Sequence, residues 1–194
     1  MKISDIYQLV SSDVNQYSLI AVALLAALFI LVLLNRKNFR RSRLNSRTNR
    51  KLKRLGLKQI KNFRCPDGMG DYFVIDRLLM NNNSISVIMF MQYPGIIFCA
   101  DNIEEWSQLV GGKSYKFKNP LVNLEHQVSA VSNCIPGVSV NGYLFFDHQA
   151  EFPKGKPDRV IQINSIPDSL KKNKKAGVEE PVKAAWEKLR KLVK

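Results

Sequence analysis

The sequence predicts a mixed α/β domain that follows a transmembrane helix near the N-terminus. Residues 17–34, YSLIAVALLAALFILVLL, carry no charged side chain. Three apolar, β-rich runs, Tyr72–Met80, Ile85–Met91 and Gly95–Ala100, occupy the middle of the chain, and Asn119-Pro120 opens a segment with helical spacing of apolar residues. At 194 residues, the chain has room for one domain of ordinary size with appendages.

The uncharged run Tyr17–Leu34 has the length of a membrane span. Its helix would be about 27 Å long at 1.5 Å per residue, close to the roughly 30 Å of a hydrocarbon core. A cleaved signal peptide is the competing interpretation, but the run ends directly in Asn35-Arg36-Lys37 without a small-x-small cleavage site. We therefore predict one uncleaved anchor, preceded by a short extracytoplasmic tail at residues 1–16.

Positive charge is concentrated immediately after this predicted anchor. Thirteen Lys or Arg residues and no acid lie between Arg36 and Arg64, so the positive-inside rule places the N-terminus outside and the rest in the cytoplasm, at the inner membrane if the host is bacterial. Residues 35–49 form a basic juxtamembrane linker. The residues that we predict to bind anionic lipid headgroups, or alternatively nucleic acid, are Arg36, Lys37, Arg40, Arg41, Arg43, Arg47, Arg50, Lys51, Lys53 and Arg54.

The basic character belongs to the flanks of the predicted domain rather than to its body. The net charge is +14, yet residues 65–170 hold seven basic and eleven acidic side chains, a net charge of −4. Because nonspecific binding of nucleic acid depends on neutralising phosphates, the domain body gives it little support. Lipid headgroups are therefore the first expectation for the flanks, and nucleic acid or a protein partner the alternatives.

We place the domain at residues 50–165. Arg50–Ile60 is predicted to be its first helix, with Leu52, Leu55 and, as a further candidate, Leu57 facing the core and Gly56 near the C-terminal end. The first two β-rich runs are predicted to form a hairpin around an Asn triplet in a half-buried sheet. Asp76 interrupts the first run, either as a solvent-facing residue or partner of Arg77, or as a metal ligand.

The second half of the domain alternates strand and helix signals. Ile103–Trp106 is predicted to be a loop or a helix start, and Tyr115–Phe117 a strand after a Gly-Gly turn. The helix that Asn119 caps should bury Leu121, Leu124, Val128, Val131 and Ile135. Further strands are predicted within Gly137–Phe146 and at Arg159–Ile163.

Residues 166–194 are predicted to form a basic linker and an amphipathic helix. The helix begins near Glu180 and carries Val182, Ala185, Trp186, Leu189 and Leu192 on one face. That apolar face could dock on the domain, lie on the membrane surface or fill a groove of a partner protein.

The histidines and cysteines give no metal pattern. His126 projects opposite the apolar stripe of its helix, and His148 lies in a polar loop. Cys65, Cys99 and Cys134 show no Cys-x-x-Cys spacing, which is typical of reduced thiols in a cytosolic compartment.

The order of motifs resembles a known family. The runs GDYFVIDRLL, VIMFMQYPGII and KNPLVNLEHQVSAV, with Trp106 between the last two, resemble the NERD (nuclease-related) domain, a relative of the restriction-endonuclease-like PD-(D/E)xK fold. The resemblance covers roughly residues 55–163. It implies a small mixed sheet flanked by helices.

The resemblance also implies a metal site, from which this sequence departs. In the family's relatives an Asp and the Glu of a Glu-x-Lys motif hold Mg²⁺, which prefers hard oxygen ligands. Asp76 matches the Asp, but Glu-x-Lys falls on Met89-Phe90-Met91. Asn123 stands where the family usually has Gln, and Gln127 where it has His. We therefore predict a degenerate member without cofactor that acts as a binding or scaffolding module.

Two other functions stay open from the sequence. One is an active Mg²⁺-dependent nuclease, in which Asp76 and carboxylates such as Asp71 or Asp101 form a rearranged site. Glu104 and Glu105 are further candidates for relocated metal ligands. The other is a structural partner of another membrane protein.

Overall fold

A computed structural model describes residues 50–66, 68, 70–173 and 175–192. They belong to one compact unit, residues 48–194. The predicted anchor Tyr17–Leu34, the tail at 1–16 and the linker at 35–49 lie outside the described residues. Within the described part, no helix combines the length and the apolar character that crossing a membrane requires.

The described chain folds into two mixed sheets and two helices longer than a single turn. The strands are β1 (Lys58–Pro66), β2 (Tyr72–Met80), β3 (Ser84–Met91), β4 (Gly95–Phe98), β5 (Glu105–Val110), β6 (Lys113–Lys118), β7 (Ser139–Phe146), β8 (Ala150–Glu151) and β9 (Val160–Gln162). The helices are α1 (Pro120–Cys134) and α2 (Glu180–Leu192), and a 3₁₀ turn spans Asp168–Leu170.

The larger sheet has the strand order β1-β2-β3-β7-β9. The chain forms it from two antiparallel pairs, β1 with β2 and β2 with β3, followed by parallel pairing of β3 with β7 and of β7 with β9. The predicted hairpin is thus confirmed, with the Asn81–Asn83 turn between β2 and β3. The crossover from β3 to β7 includes α1, which packs on β7.

The smaller sheet, in the order β6-β5-β4-β8, corrects two expectations. The third apolar run, Gly95–Ala100, supplies β4 of this second sheet instead of extending the first. Of the loop and the helix start expected at Ile103–Trp106, the loop is present at Ile103 and Glu104, but it leads into β5 and not into a helix. Trp106 is fully buried opposite Phe117 of β6, and an extended strand places its ring in the core. The single small sheet that we predicted is therefore two sheets.

The predicted helix Arg50–Ile60 is wrong beyond its first turn. Helical conformation ends at Leu52, and β1 starts at Lys58. Leu55 forms an antiparallel bridge with Lys171, and Gly56 adopts a φ of +52° while donating its N–H to the carbonyl of Leu170. Tertiary pairing with the C-terminal segment and with β2 overrides the helical pattern. The predicted burial of Leu52 and Leu55 is confirmed.

Helix α1 forms as its sequence predicts. The Asn119 side chain accepts a hydrogen bond from the N–H of Leu121, and Pro120 occupies the first turn. Leu121, Leu124, Val131 and Ile135 are buried. Close packing of α1 on β7 depends on Gly142, since a Cβ there would lie 2.6 Å from a methyl of Val128.

Helix α2 docks on the domain by its apolar face. Val182, Ala185, Trp186 and Leu189 are buried in the main core, whereas Leu192 stays 40% exposed. Val182, Ala185, Trp186 and Leu189 are three and four residues apart, the spacing that aligns side chains on one face of a helix. The sequence left three places open for this apolar face: the domain, the membrane surface and a partner's groove. The structure shows it packed on β1 and β3 of the domain.

Two apolar clusters cover opposite sides of the larger sheet. The main core lies between this sheet, the smaller sheet and the two helices, and includes Ile75, Leu78, Met89, Trp106 and Trp186. The second cluster packs the opposite side with the first and last segments of the domain: Leu52, Leu55, Leu79, Ile88, Phe145, Ile161, Ile163 and Leu170. The centre of the sheet is therefore buried on both faces.

Candidate functional site

Asp76 lies on β2 at the point where the backbone pairing of β2 with β3 stops. That pairing runs from Met80–Ile85 to Arg77–Ile88. Beyond it, the Oδ2 atom of the half-buried Asp76 accepts a hydrogen bond from the N–H of Phe90 at 2.7 Å. The carboxylate thus continues the hydrogen bonding between the two strands where their backbones no longer pair.

At Asp76, the regular alternation of core-facing and outward-facing residues along β2 is interrupted. In a regular strand alternate residues share a face, yet Ile75 and Leu78, three residues apart, both belong to the main core. Opposite Asp76, Asn62 of β1 has a φ of +49°, in the left-handed region. Asp76 therefore sits at an irregularity that both strands share.

Arg77, the neighbour of Asp76, is buried on the side of the second cluster with only 3% of its surface exposed. Its Nη1 atom donates to Gln59 Oε1 at 2.7 Å, and its guanidinium lies 5.6 Å from the ring centroid of Phe90. Burial lowers the pKa of Arg77, and the Asp76 carboxylate counteracts part of that change. The Asp76 carboxylate thus also acts electrostatically on a buried cation.

The positions that Glu-x-Lys would occupy are apolar and packed. Met89 is 8% exposed in the main core, and Met91 packs against the same core. Phe90 points to the second cluster, where its ring meets Phe145 edge-on at 6.0 Å. These three side chains give the junction beside Asp76 no oxygen donor.

The other carboxylates named from the sequence either have partners of their own or are exposed. Asp71 accepts a hydrogen bond from the N–H of Tyr72, and Glu105 pairs with Lys116 at 3.5 Å across β5 and β6. Asp101 and Glu104 are exposed in the turn before β5. Among the described residues, no three His, Cys, Asp or Glu side chains come together in a way that could hold a metal ion. The donor set around Asp76 does not fit Mg²⁺.

The Asn-Pro motif and the tryptophan order the turn that precedes β5. Asn119 Nδ2 donates to the carbonyls of Asp101 and Ile103, at 3.1 and 2.9 Å, and Trp106 Nε1 donates to the carbonyl of Ala100 at 3.0 Å. These two motif residues are therefore structural in this chain. Of the two α1 residues that were compared with the family's Gln and His, Asn123 is exposed, whereas Gln127 is buried.

The histidines lie at the surface, whereas the cysteines range from buried to partly exposed. His126 is exposed, and His148 contacts the carboxylate of the adjacent Asp147. All three cysteines are free thiols. Cys65 is fully buried, with its Sγ 3.8 Å from that of Cys134, and burial, assisted by Cys134, raises the pKa of Cys65 to about 12.

The predicted basic residues divide between described and undescribed parts of the chain. Arg36, Lys37, Arg40, Arg41, Arg43 and Arg47 lie outside the described residues, while Arg50, Lys51, Lys53 and Arg54 are exposed. The structure adds Lys171 and Lys172, which sequence reasoning placed in a separate linker. Their proximity follows from the Leu55–Lys171 bridge, for which the sequence gives no signal beyond the apolar Leu170 beside the lysines.

One of three comparisons with known proteins gives a match. A family model described as "Nuclease-related domain" (NERD) matches residues 40–147, a range that includes Asp76, Trp106 and the Asn-Pro motif. Searches of curated proteins and of solved structures gave no match.

Proposed function

The chain belongs to the nuclease-related domain family, and from that premise we propose that it is a single-pass membrane protein whose family domain binds or scaffolds without hydrolysing nucleic acid. The anchor in this proposal is Tyr17–Leu34. The N-terminus is outside, and the domain is cytoplasmic.

One observation supports the proposal that the domain does not hydrolyse nucleic acid. The Asp76 carboxylate is hydrogen-bonded to the backbone of Phe90, and the neighbouring positions of β3 hold methionines packed against the core. Metal-dependent hydrolysis needs ligands that fix the ion and polarise the attacking water. In this chain the family aspartate instead joins two strands and offsets the charge of Arg77.

The test is a nuclease assay of the full chain in nanodiscs. Single- and double-stranded DNA are incubated with Mg²⁺ or Mn²⁺, beside the Asp76→Asn variant and two matched variants at exposed carboxylates, Asp71→Asn and Asp101→Asn. We expect no cleavage by any of the four proteins.

Cleavage by the parent that Asp76→Asn abolishes would overturn the proposal and restore the active-nuclease alternative. Loss of that cleavage in Asp71→Asn or Asp101→Asn as well would identify the rearranged carboxylate site. The orientation is tested by protease protection in sealed vesicles: an accessible N-terminal tail and a protected domain from the outside are expected, and the reverse pattern would contradict it.

A further inference from the structure

The tertiary structure joins two basic runs that lie more than a hundred residues apart in the sequence. Arg50, Lys51, Lys53 and Arg54 come from the start of the domain, and Lys171 and Lys172 from its C-terminal linker. Leu55 bridges Lys171, and the N–H of Lys172 donates to the carbonyl of Arg54 at 3.3 Å. We refer to these six exposed side chains as the basic patch.

The backbone beneath the basic patch is held by a connected set of hydrogen bonds. Gln59 Nε2 donates to the carbonyls of Leu52 and Leu55, each at 2.6 Å, and Gly56 N–H donates to Leu170. Leu52, Leu55 and Leu170 are all buried in the second cluster. Because these backbone contacts hold the two runs together, the fold brings the exposed lysines of the C-terminal linker next to the basic residues at the start of the domain.

The partner chemistry follows from position and charge. Fifteen residues, 35–49, separate the basic patch from the end of the predicted anchor, so even a fully extended linker keeps it within about 50 Å of the membrane. The body of the domain, residues 65–170, has a net charge of −4. An anionic leaflet therefore attracts the basic patch and not the net-acidic body at residues 65–170, which favours an orientation with the patch toward the membrane.

We propose that the basic patch is the surface by which the domain docks on anionic lipid headgroups, with the C-terminal linker supplying part of the binding site. The inference rests on the membrane anchor of the proposed function and extends it. Docking holds Lys171 and Lys172 against the headgroups together with Lys51 and Lys53, and leaves the smaller sheet free.

The test is amine acylation of the full chain in nanodiscs, followed by mass spectrometry. Phosphatidylcholine discs are compared with mixed phosphatidylcholine–phosphatidylglycerol discs, at low and high salt. We expect Lys51, Lys53, Lys171 and Lys172 to be acylated roughly fivefold or more slowly in the anionic discs, the effect of about one headgroup-bound charge. High salt should remove this protection, and Lys113 and Lys118 of β6 should react alike in both discs.

Two double variants with the same loss of charge test whether docking depends on the basic patch or on the net charge of the domain. Lys171→Gln/Lys172→Gln and Lys113→Gln/Lys118→Gln remove the same charge from exposed positions. The first pair should reduce the docked-to-free ratio roughly thirtyfold, about fivefold for each lysine, and so abolish most protection of Lys51 and Lys53; the second pair should leave it unchanged. Equal effects of both pairs would overturn the inference.

The remaining outcomes distinguish failure of docking from failure of the anchor. Equal acylation in both lipid compositions, with the chain still resisting carbonate extraction, overturns the docking surface and leaves the anchor intact. A chain that carbonate extracts contradicts the anchor, and its basic patch is then tested by flotation with the same anionic vesicles. Protection of the patch by double-stranded DNA in neutral discs, without protection by anionic lipid, would overturn the inference in favour of nucleic acid.

Discussion

The junction around Asp76 and the basic patch use charged side chains in opposite ways. At the junction, one carboxylate and one guanidinium are held among apolar groups, and their hydrogen bonds go to the protein itself. At the basic patch, six cations are exposed, and Lys51 and Lys171 reach only the exposed groups of Asn164 and Asp168. The first arrangement links strands, whereas the second presents charge to solvent.

This difference separates the residues that hold the domain together from those available to a ligand. A buried charge that loses its partner is costly, whereas an exposed one changes stability little. Substitutions at the junction should therefore act on folding, and substitutions at the basic patch on binding. Unfolding and chemical reactivity of the domain therefore distinguish residues that stabilise the fold from residues that are available to a ligand.

Restoring the family's glutamate should have the largest effect on stability. Met89→Glu buries a carboxylate without a partner close to Asp76 and should lower the free energy of unfolding by about 3 to 5 kcal/mol. The measurement is denaturant unfolding in detergent, followed by the fluorescence of Trp106 and Trp186, both fully buried in the domain. Met91→Lys, at a half-buried position where the ammonium can reach water, is the control and should cost under about 1.5 kcal/mol. If both substitutions lowered the free energy of unfolding equally, the contrast between a buried and a half-buried charge would be contradicted.

Cys65 tests how well the hairpin excludes water. With a pKa raised from 9.0 to about 12, its thiol should be alkylated roughly a thousandfold more slowly at pH 8 in the folded chain than in urea. Cys99, with a pKa of about 11 and partial exposure, should be slowed less. Between pH 9 and 12 the unfolded chain loses the Cys65 proton first, so this group makes the free energy of unfolding fall as pH rises. Equal alkylation rates in the two states would contradict the exclusion of water from the hairpin around Cys65.

Removing the Asp76 carboxylate should have an intermediate effect. Asp76→Ala leaves the N–H of Phe90 without its acceptor and Arg77 without its neighbouring charge, at a cost of about 2 to 3 kcal/mol. Asp76→Asn keeps an acceptor oxygen and should cost about half as much. The same unfolding measurement checks both, and a neutral Asp76→Ala would show that the aspartate has no structural role.

Neutralising the basic patch should have the smallest effect on folding. Lys171→Gln/Lys172→Gln removes the exposed Lys171–Asp168 pair but leaves the backbone contacts of both residues, so the free energy of unfolding should change by less than about 0.5 kcal/mol. A loss comparable to that of Asp76→Ala would show that the patch stabilises the domain instead of serving a ligand.

The sequence by itself determined several local elements and the family. The apolar runs predict β2, β3 and β4 to within two residues at each end, and Asn119-Pro120 predicts the start of α1, since these signals depend on neighbours along the chain. The departure of Met89-Phe90-Met91 from Glu-x-Lys is also visible without coordinates.

Only the tertiary structure decided what depends on distant partners. It placed Gly95–Phe98 and Glu105–Val110 in a second sheet, ended the first helix at Leu52, and packed α2 on β1 and β3, because each outcome follows from contacts with residues far away in the sequence. It also turned Asp76 into a link between strands and brought Lys171 beside Arg54. Spacing along the chain carries no information on such pairings, which are set by the burial and hydrogen bonding of the whole domain.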